Sequence, residues 1–295
     1  MNEGVEGLTR HGSYLAGELL LRASRAALDV RPQVTTGDLE AWQERTSIFF
    51  VLAIGRSGSM FLSHLLCRSP DASVFHEPVL ADFAAYPRAY FDEEAAESYI
   101  RRFRKREIYL RLRGEEVRTY GEVNTNLRRH CKVLRREFTN STLLHLVRDG
   151  RDVVRSMMSR RTFQPWDPVT SLIHPKEEDP WRSAWPRMSR FERCCWYWLV
   201  ENRYLRTCAD KTVQFENLLS DYGYLQRSIL DPLSLHIPRD QWRSAVNRPE
   251  NATKRYRIPH WSHWDADMRD AFDTICGEEM QRNGYEISWH NESSL

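Results

Sequence analysis

The strongest constraint on the fold is the segment Ile48 to Cys67, IFFVLAIGRSGSMFLSHLLC. Its first part, Ile48 to Ile54, is an uninterrupted apolar run rich in β-branched and aromatic residues, which is typical of a strand buried on both faces. A glycine- and serine-containing turn follows. Apolar residues then recur at the spacing of one helical face: Phe61, Leu62, Leu65 and Leu66. The segment therefore predicts a strand, a glycine turn and a helix.

The turn Gly55-Arg56-Ser57-Gly58-Ser59 has the chemistry of a phosphate-binding loop. Such a turn directs successive backbone N–H groups and a helix N-terminus at one point. Arg56 adds a fixed positive charge, and Ser57 and Ser59 add hydroxyl donors. The nucleotide-hydrolysing pattern G-x-x-x-x-G-K-[ST] does not fit, because no lysine follows Gly58 and no glycine stands five residues before it. An ordinary strand–turn–helix with a surface arginine is the alternative.

A second buried strand, Thr142 to Val147, leads into a charged turn and a helix. Arg148 ends this strand, and Ser156 follows eight residues later in the helix. Two helical turns bring the serine to the side on which the arginine leaves the strand. The pair can therefore meet one anion, although Arg148 could instead form a structural ion pair with Asp149 or Asp152.

These two motifs resemble the cofactor motifs of sulfotransferases that use 3′-phosphoadenosine-5′-phosphosulfate (PAPS). In that family a basic residue precedes Ser-Gly and hydroxyl residues follow, as in Arg56-Ser57-Gly58-Ser59, although Met60 stands where a second Ser or Thr is common. The family's arginine and serine ligands of the 3′-phosphate have the spacing of Arg148 and Ser156. A later loop, Asn247 to Trp264, often closes over the nucleotide. The resemblance implies these PAPS-binding residues: Arg56, Ser57, Gly58, Ser59, Met60, Phe61, Arg148, Ser156, Lys254 and Arg255.

The resemblance also implies a catalytic base beside the loop. In the family an acidic residue just after the second strand, or in other members a histidine, takes the proton from the acceptor hydroxyl. His76-Glu77-Pro78 directly follows a short strand candidate, so Glu77 is the first choice and His76 the second, with Arg56 stabilising the leaving phosphate. Glu122 and Asn124, which end or follow a further strand, are secondary acceptor-site candidates. A turn-capping carboxylate is the alternative for Glu77.

Strands near residues 48, 72, 119, 142 and 212 each precede a helical segment, which predicts an α/β fold with a mainly parallel sheet flanked by helices. The resemblance makes this a P-loop-type sheet with the sulfotransferase fold. We expect one domain over residues 1–295 with an N-terminal helical arm at about 1–45, including an amphipathic helix from Tyr14 to Leu28. The basic run of residues 101–106 is typical of a solvated helix face, with an anionic-acceptor site as the alternative.

The composition narrows the function further. A net charge of +2 gives no support to nucleic-acid binding, and six cysteines without C-x-x-C spacing make a zinc site improbable. No apolar run approaches the ~20 residues of a membrane span, and no signal-peptide pattern is present, so we expect a cytoplasmic protein.

The function that these patterns favour is transfer of a sulfuryl group from PAPS to a hydroxyl acceptor, with release of adenosine 3′,5′-bisphosphate (PAP) and no required metal. The acceptor, which can be a glycan, a lipid or another small molecule, and the oligomeric state stay open. The alternatives are a P-loop kinase of a small hydroxyl compound and a non-catalytic nucleotide- or glycan-binding module.

Overall fold

A computed structural model of the chain describes residues 34–113, 119–248, 253 and 255–289, together with Leu19 and Arg22. The predicted N-terminal helix lies outside the described residues except for Leu19 and Arg22, which are helical. Lys254 also lies outside them.

The described part of the chain forms a five-stranded sheet in the order β2-β3-β1-β4-β5. All four pairings of neighbouring strands are parallel, which confirms the predicted α/β class. The strands are β1 Ser47–Ala53, β2 Ser73–His76, β3 Thr119–Asn124, β4 Ser141–Val147 and β5 Lys211–Gln214.

Helices connect and flank the strands. The α-helices are α1 Thr36–Arg45, α2 Ser59–Leu66, α3 Leu80–Phe91, α4 Glu93–Tyr99, α5 Lys105–Leu112, α6 Cys131–Glu137, α7 Gly150–Met158, α8 Arg190–Cys208, α9 Phe215–Ser220, α10 Tyr222–Leu225, α11 Asp231–Leu233, α12 Arg239–Val246 and α13 Ala266–Arg282. Short 3₁₀ or π segments occupy Ile100–Arg104, Arg128–His130, Thr170–Leu172, Trp185–Arg187, Gln226–Leu230 and Trp261–His263.

Strand β1 is the centre of the core, because every residue after Ser47 in it is buried. Its side chains alternate between the two faces of the sheet, as the pleat requires. Ile48, Phe50 and Leu52 join one apolar cluster, whereas Phe49, Val51 and Ala53 join another. The apolar run of β1 thus reflects helices packed on both faces of the sheet.

The glycine turn between β1 and α2 is held close to a later part of the chain. Gly58 has a φ of +89° and is the N-cap residue of α2. A Cβ atom placed on it would lie 2.1 Å from Cε2 of Phe215, the first residue of α9. Glycine therefore serves here both the left-handed backbone and the close approach of an aromatic ring.

Candidate active site

The order of the strands defines a crevice at the carboxyl ends of β1 and β4. The chain adds β2 and β3 on one side of β1 and then β4 and β5 on the other, so the direction of winding reverses between β1 and β4. Ligands of open α/β sheets bind at such a switch point. Arg56 follows β1 and Arg148 follows β4, so the fold brings both arginines to this crevice.

A cavity of about 270 Å³ opens at this crevice. Its lining combines the glycine turn and the start of α2, one residue before α7 and one in its second half, helix α9, and the end of α12 with the segment after it: Arg56, Gly58, Ser59, Met60, Phe61, Arg148, Ser156, Phe215, Leu219, Val246, Arg248, Thr253 and Tyr256. Among the described residues that line it there are three arginines and no aspartate or glutamate. The cavity is therefore suited to an anion with an apolar portion.

Three side chains from distant parts of the chain meet inside the cavity. The Arg56 Nε donates to Ser156 Oγ at 2.9 Å, although the two residues are 100 positions apart in sequence. Thr253 Oγ1 lies 3.4 Å from an Arg56 terminal nitrogen and 3.1 Å from Ser156 Oγ. Two hydroxyls and a guanidinium thus come together in the cavity, and all three can donate hydrogen bonds to phosphate oxygens.

Arg148 lies beside this cluster, and its Nε lies 4.0 Å from the carboxylate of Glu216. One terminal nitrogen donates to the Arg56 carbonyl at 3.4 Å, and the other forms an ion pair with Asp152 at 2.8 Å. Its guanidinium also lies 5.4 Å from the centre of the Phe215 ring. The structural pairing with Asp152 considered from the sequence therefore exists, and it holds the guanidinium at the edge of the cavity. Asp149 pairs instead with Arg151.

The local field at Arg56 is positive. Burial and the neighbouring charges of Arg160 and Arg148 lower the pKa of Arg56 from its ordinary value. The guanidinium stays charged at neutral pH because an unperturbed arginine titrates so far above it. Several cations held close together in a partly desolvated crevice attract an anionic ligand more strongly than exposed charges do.

The two candidate bases lie at the end of β2 and make different contacts. Nε2 of His76 lies 3.1 Å from Ser59 Oγ, so the histidine touches the glycine turn directly. Burial lowers the pKa of His76, with a smaller opposing effect of the Glu77 carboxylate, and this favours the neutral ring. Glu77 follows with a φ of 44° and accepts hydrogen bonds from the backbone and hydroxyl of Thr125.

Glu122 and Asn124, the secondary candidates, are fully buried rather than open to the crevice. The Glu122 carboxylate pairs with Arg104 and accepts from Tyr120 and from the Asn124 amide. An acceptor could reach it only if this network opened. Both side chains therefore belong to a buried network in the structure.

The structure brings most of the predicted cofactor residues together. The cavity is lined by residues 56 and 58–61, Arg148 and Ser156. Ser57 is fully buried and Arg255 is exposed, and neither belongs to the lining. Thr253, Phe215 and Tyr256 also line the cavity, although the sequence did not single them out. Thr253 belongs to the Asn247–Trp264 loop and lies next to the predicted Lys254, and its hydroxyl contacts Arg56 and Ser156.

Two negative findings hold for the described residues. No group of three or more His, Cys, Asp or Glu side chains among them is arranged to hold a metal ion. No helix within the same residues is long and apolar enough to cross a membrane.

Comparison with known proteins gives a likeness of overall architecture. No protein-family model and no curated protein sequence matches the chain. The sulfotransferase domain from the curacin biosynthetic pathway is 14% identical, with 82% of this chain and 99% of that one aligned and a TM-score of 0.48. Sulfotransferase STF1 from Mycobacterium tuberculosis H37Rv is 12% identical over 89% and 84% of the two chains, with a TM-score of 0.49. A sulfotransferase from Alicyclobacillus acidocaldarius is 13% identical over 82% and 98%, with a TM-score of 0.41.

Proposed function

We propose that this chain is a sulfotransferase that transfers the sulfuryl group of PAPS to a hydroxyl acceptor and releases PAP. The observation that carries the proposal is the meeting of Arg56, Ser156 and Arg148 at one cavity. The two motifs lie far apart in sequence, and each alone has an ordinary structural interpretation. Their convergence at the switch point of the sheet supports a shared anionic ligand.

The residues of the cavity fit a nucleotide with several phosphates. Ser59, Ser156 and Thr253 supply hydroxyls, and Arg56, Arg148 and Arg248 supply positive charge. Phe215, Leu219 and Val246 add an apolar wall that can contact a base. Gly58 keeps the turn narrow, since any side chain there would strike the Phe215 ring.

When bound, PAPS supplies an activated sulfuryl group joined to a phosphate leaving group. Arg56 and the backbone N–H groups of the glycine turn hold that phosphate and offset its charge, an electrostatic contribution of several kcal/mol in comparable sites. Arg148 and Ser156 bind and orient the 3′-phosphate. Glu77 takes the proton of the acceptor hydroxyl, and His76, in contact with Ser59, is the second candidate for that proton.

A ligand-binding experiment tests which nucleotide the protein binds. PAP is expected to raise the melting temperature of the protein without magnesium, because a ligand that binds only the folded state stabilises it by mass action. A shift with ATP and magnesium and none with saturating PAP would favour the kinase.

An activity assay tests transfer. The protein is incubated with PAPS and a panel of 2-naphthol, 1-dodecanol and methyl glucoside, and transfer is measured as a mass gain of one sulfuryl group on the acceptor. PAP binding without any transfer would favour the non-catalytic binding module.

Arg148→Ala tests the assignment of the 3′-phosphate. The substitution removes a charge-assisted contact of about 1.5–3 kcal/mol, which corresponds to roughly tenfold to over a hundredfold in PAP affinity. Affinity for adenosine 5′-phosphate, which lacks the 3′-phosphate, is expected to change little. Arg161→Ala is the matched control, because Arg161 is exposed and lies outside the cavity lining. Equal losses for both nucleotides would make Arg148 a structural residue.

A further inference from the structure

The turn that follows β3 holds the side chain of Glu77. The backbone N–H of Thr125 donates to Glu77 Oε1 at 3.3 Å, and the Thr125 hydroxyl donates to the same oxygen. The backbone N–H of Glu77 in turn donates to the Val123 carbonyl at 3.4 Å. The end of β3 therefore fixes both the backbone and the carboxylate of Glu77.

These bonds act on a residue with an unfavourable backbone conformation. Glu77 has a φ of 44°, in the left-handed region that non-glycine residues rarely adopt. Such conformations persist only where the surroundings determine them, and they concentrate at functional sites. Both Thr125 bonds go to Oε1, and no described residue forms a hydrogen bond with Oε2. One oxygen is thus held, while the other is left for a ligand of this half-buried side chain.

The backbone carbonyl of Thr125 is in turn held by Arg128. The Arg128 guanidinium donates to the Thr125 carbonyl, to the Tyr197 hydroxyl and to Glu201 Oε2, the last at 3.0 Å. Its face lies 3.6 Å from the centre of the Tyr86 ring. Arg128 is 4% exposed and Glu201 is 0% exposed, so water does not compete for these contacts.

The Arg128–Glu201 pair is a buried ion pair with further polar contacts. A buried ion pair generally contributes little net stability, because desolvation of both charges offsets their attraction. What such a network does provide is a single orientation for each polar group that it contacts. Here the groups at its end are the carbonyl of Thr125 and, through Thr125, the carboxylate of Glu77.

We propose that Thr125 is a positioning residue for Glu77, and that Arg128, held by Glu201 and Tyr197, fixes Thr125 in turn. The proposal rests on the proposed function, in which Glu77 takes the proton of the acceptor hydroxyl. Thr125 holds Oε1 so that Oε2 faces the hydroxyl. Proton transfer is sensitive to such placement, since a misplacement of about 1 Å can lower a rate by 10²-fold.

A pair of substitutions separates positioning from packing. Thr125→Val keeps the shape and removes the hydroxyl, whereas Thr125→Ser keeps the hydroxyl and removes a methyl group. With PAPS and whichever acceptor of the panel is sulfated, we expect Thr125→Val to lower kcat about tenfold to a hundredfold with little change in the acceptor KM. Thr125→Ser should stay near the wild-type kcat. PAP affinity should be equal in all three proteins, because Thr125 does not line the cavity.

The same substitutions on a Glu77→Gln background complete the test. If Thr125 acts through Glu77, Thr125→Val should lower kcat no further once the carboxylate is gone. An equal fractional loss on both backgrounds, or a loss in Thr125→Ser as large as in Thr125→Val, would overturn the proposal. A double-mutant cycle of Thr125→Val and Glu77→Gln, measured as free energies of unfolding in urea, needs no enzymatic activity. A coupling free energy of zero between Thr125 and Glu77 would also overturn the proposal. The wild-type protein could bind PAP and show this coupling but sulfate no acceptor. That result would contradict the proposed function, and with it the positioning role of Thr125.

Discussion

Arg56 and Glu77 adopt left-handed backbone conformations, with φ of 78° and 44°, just beyond the ends of β1 and β2. A left-handed conformation costs a non-glycine residue about 1–2 kcal/mol. Both residues lie at the carboxyl edge of the sheet, where the strands no longer determine the backbone. The strain is offset by hydrogen bonds to side chains of other segments, namely Ser156 for Arg56 and Thr125 for Glu77.

The backbone of Glu77 does not continue the extended conformation of β2. In an extended segment His76 and Glu77 would point to opposite sides, so only one of them could face an acceptor. Strand β2 ends at His76, and the backbone of Glu77 is not extended. Alternation therefore does not separate the two side chains, and kinetics must decide which of them takes the proton.

Glu77→Gln and His76→Gln are the substitutions that decide it. Glu77→Gln keeps the shape and removes the basicity, and loss of a general base typically lowers turnover by ~10²–10⁴. We expect Glu77→Gln to show that loss in kcat with nearly unchanged PAP affinity. We expect His76→Gln to lower kcat less and also to weaken PAP binding, because His76 contacts Ser59 of the glycine turn. Steady-state kinetics with PAPS and PAP titration provide the two readouts. Near-normal turnover of Glu77→Gln with an inactive His76→Gln would exchange the two roles.

At the level of elements, each strand was predictable from sequence to within two residues at its ends. Ile48 to Ile54 predicted β1 at Ser47–Ala53, and Thr142 to Val147 predicted β4 at Ser141–Val147. Burial on both faces leaves a continuous apolar run, which local sequence reveals. The contact of Thr253 with Arg56 was not predictable in this way, because it joins residues 197 positions apart and has no local pattern.

The glycine turn is the element whose geometry is most sensitive to substitution. Gly58→Ala would place a Cβ at a φ of +89° and 2.1 Å from the Phe215 ring. The backbone contributes about 1–2 kcal/mol and the displaced ring about 1–3 kcal/mol of destabilisation. We expect a lower free energy of unfolding in urea and at least tenfold weaker PAP binding. Adding Phe215→Leu should restore only the part of the lost stability that is due to the displaced ring. Full restoration would show that the left-handed backbone is unimportant.

Across the whole molecule, the side of the sheet that carries β2 and β3 contains a buried charged network. Arg104 is fully buried and pairs with Asp82, Glu107 and Glu122. From sequence its basic run is typical of a solvated helix face, and Arg101 does form exposed pairs with Glu97 and Glu137. The burial of Arg104 depends on carboxylates from α3, α5 and β3, so the local charge pattern does not reveal it.

Three buried groups of this chain make stability depend on pH in opposite directions. Burial raises the pKa of Asp82 to about 7, despite the opposing charge of Arg104. Burial lowers the pKa of His130 to about 3, aided by the charge of Arg104, and lowers that of His145 to about 4. Below pH ~7 and above the ordinary pKa of aspartate, the folded state therefore holds a proton on Asp82 that the unfolded state releases. Below the ordinary pKa of histidine, the unfolded state binds a proton on each histidine that the folded state excludes until the pH falls to its lowered pKa.

The sign of the pH dependence follows from these proton numbers. Between pH ~4.5 and ~6 the unfolded state binds two more protons on the histidines and one fewer on Asp82, so these groups make the free energy of unfolding rise with pH. His130→Phe removes one histidine and should lower that slope by about 1.4 kcal/mol per pH unit. Asp82→Asn removes the opposing group and should raise the slope by a similar amount. Urea unfolding of the three proteins across this range measures both changes. Slopes that move in the same direction would show that the assigned protonation states of Asp82 and His130 are wrong.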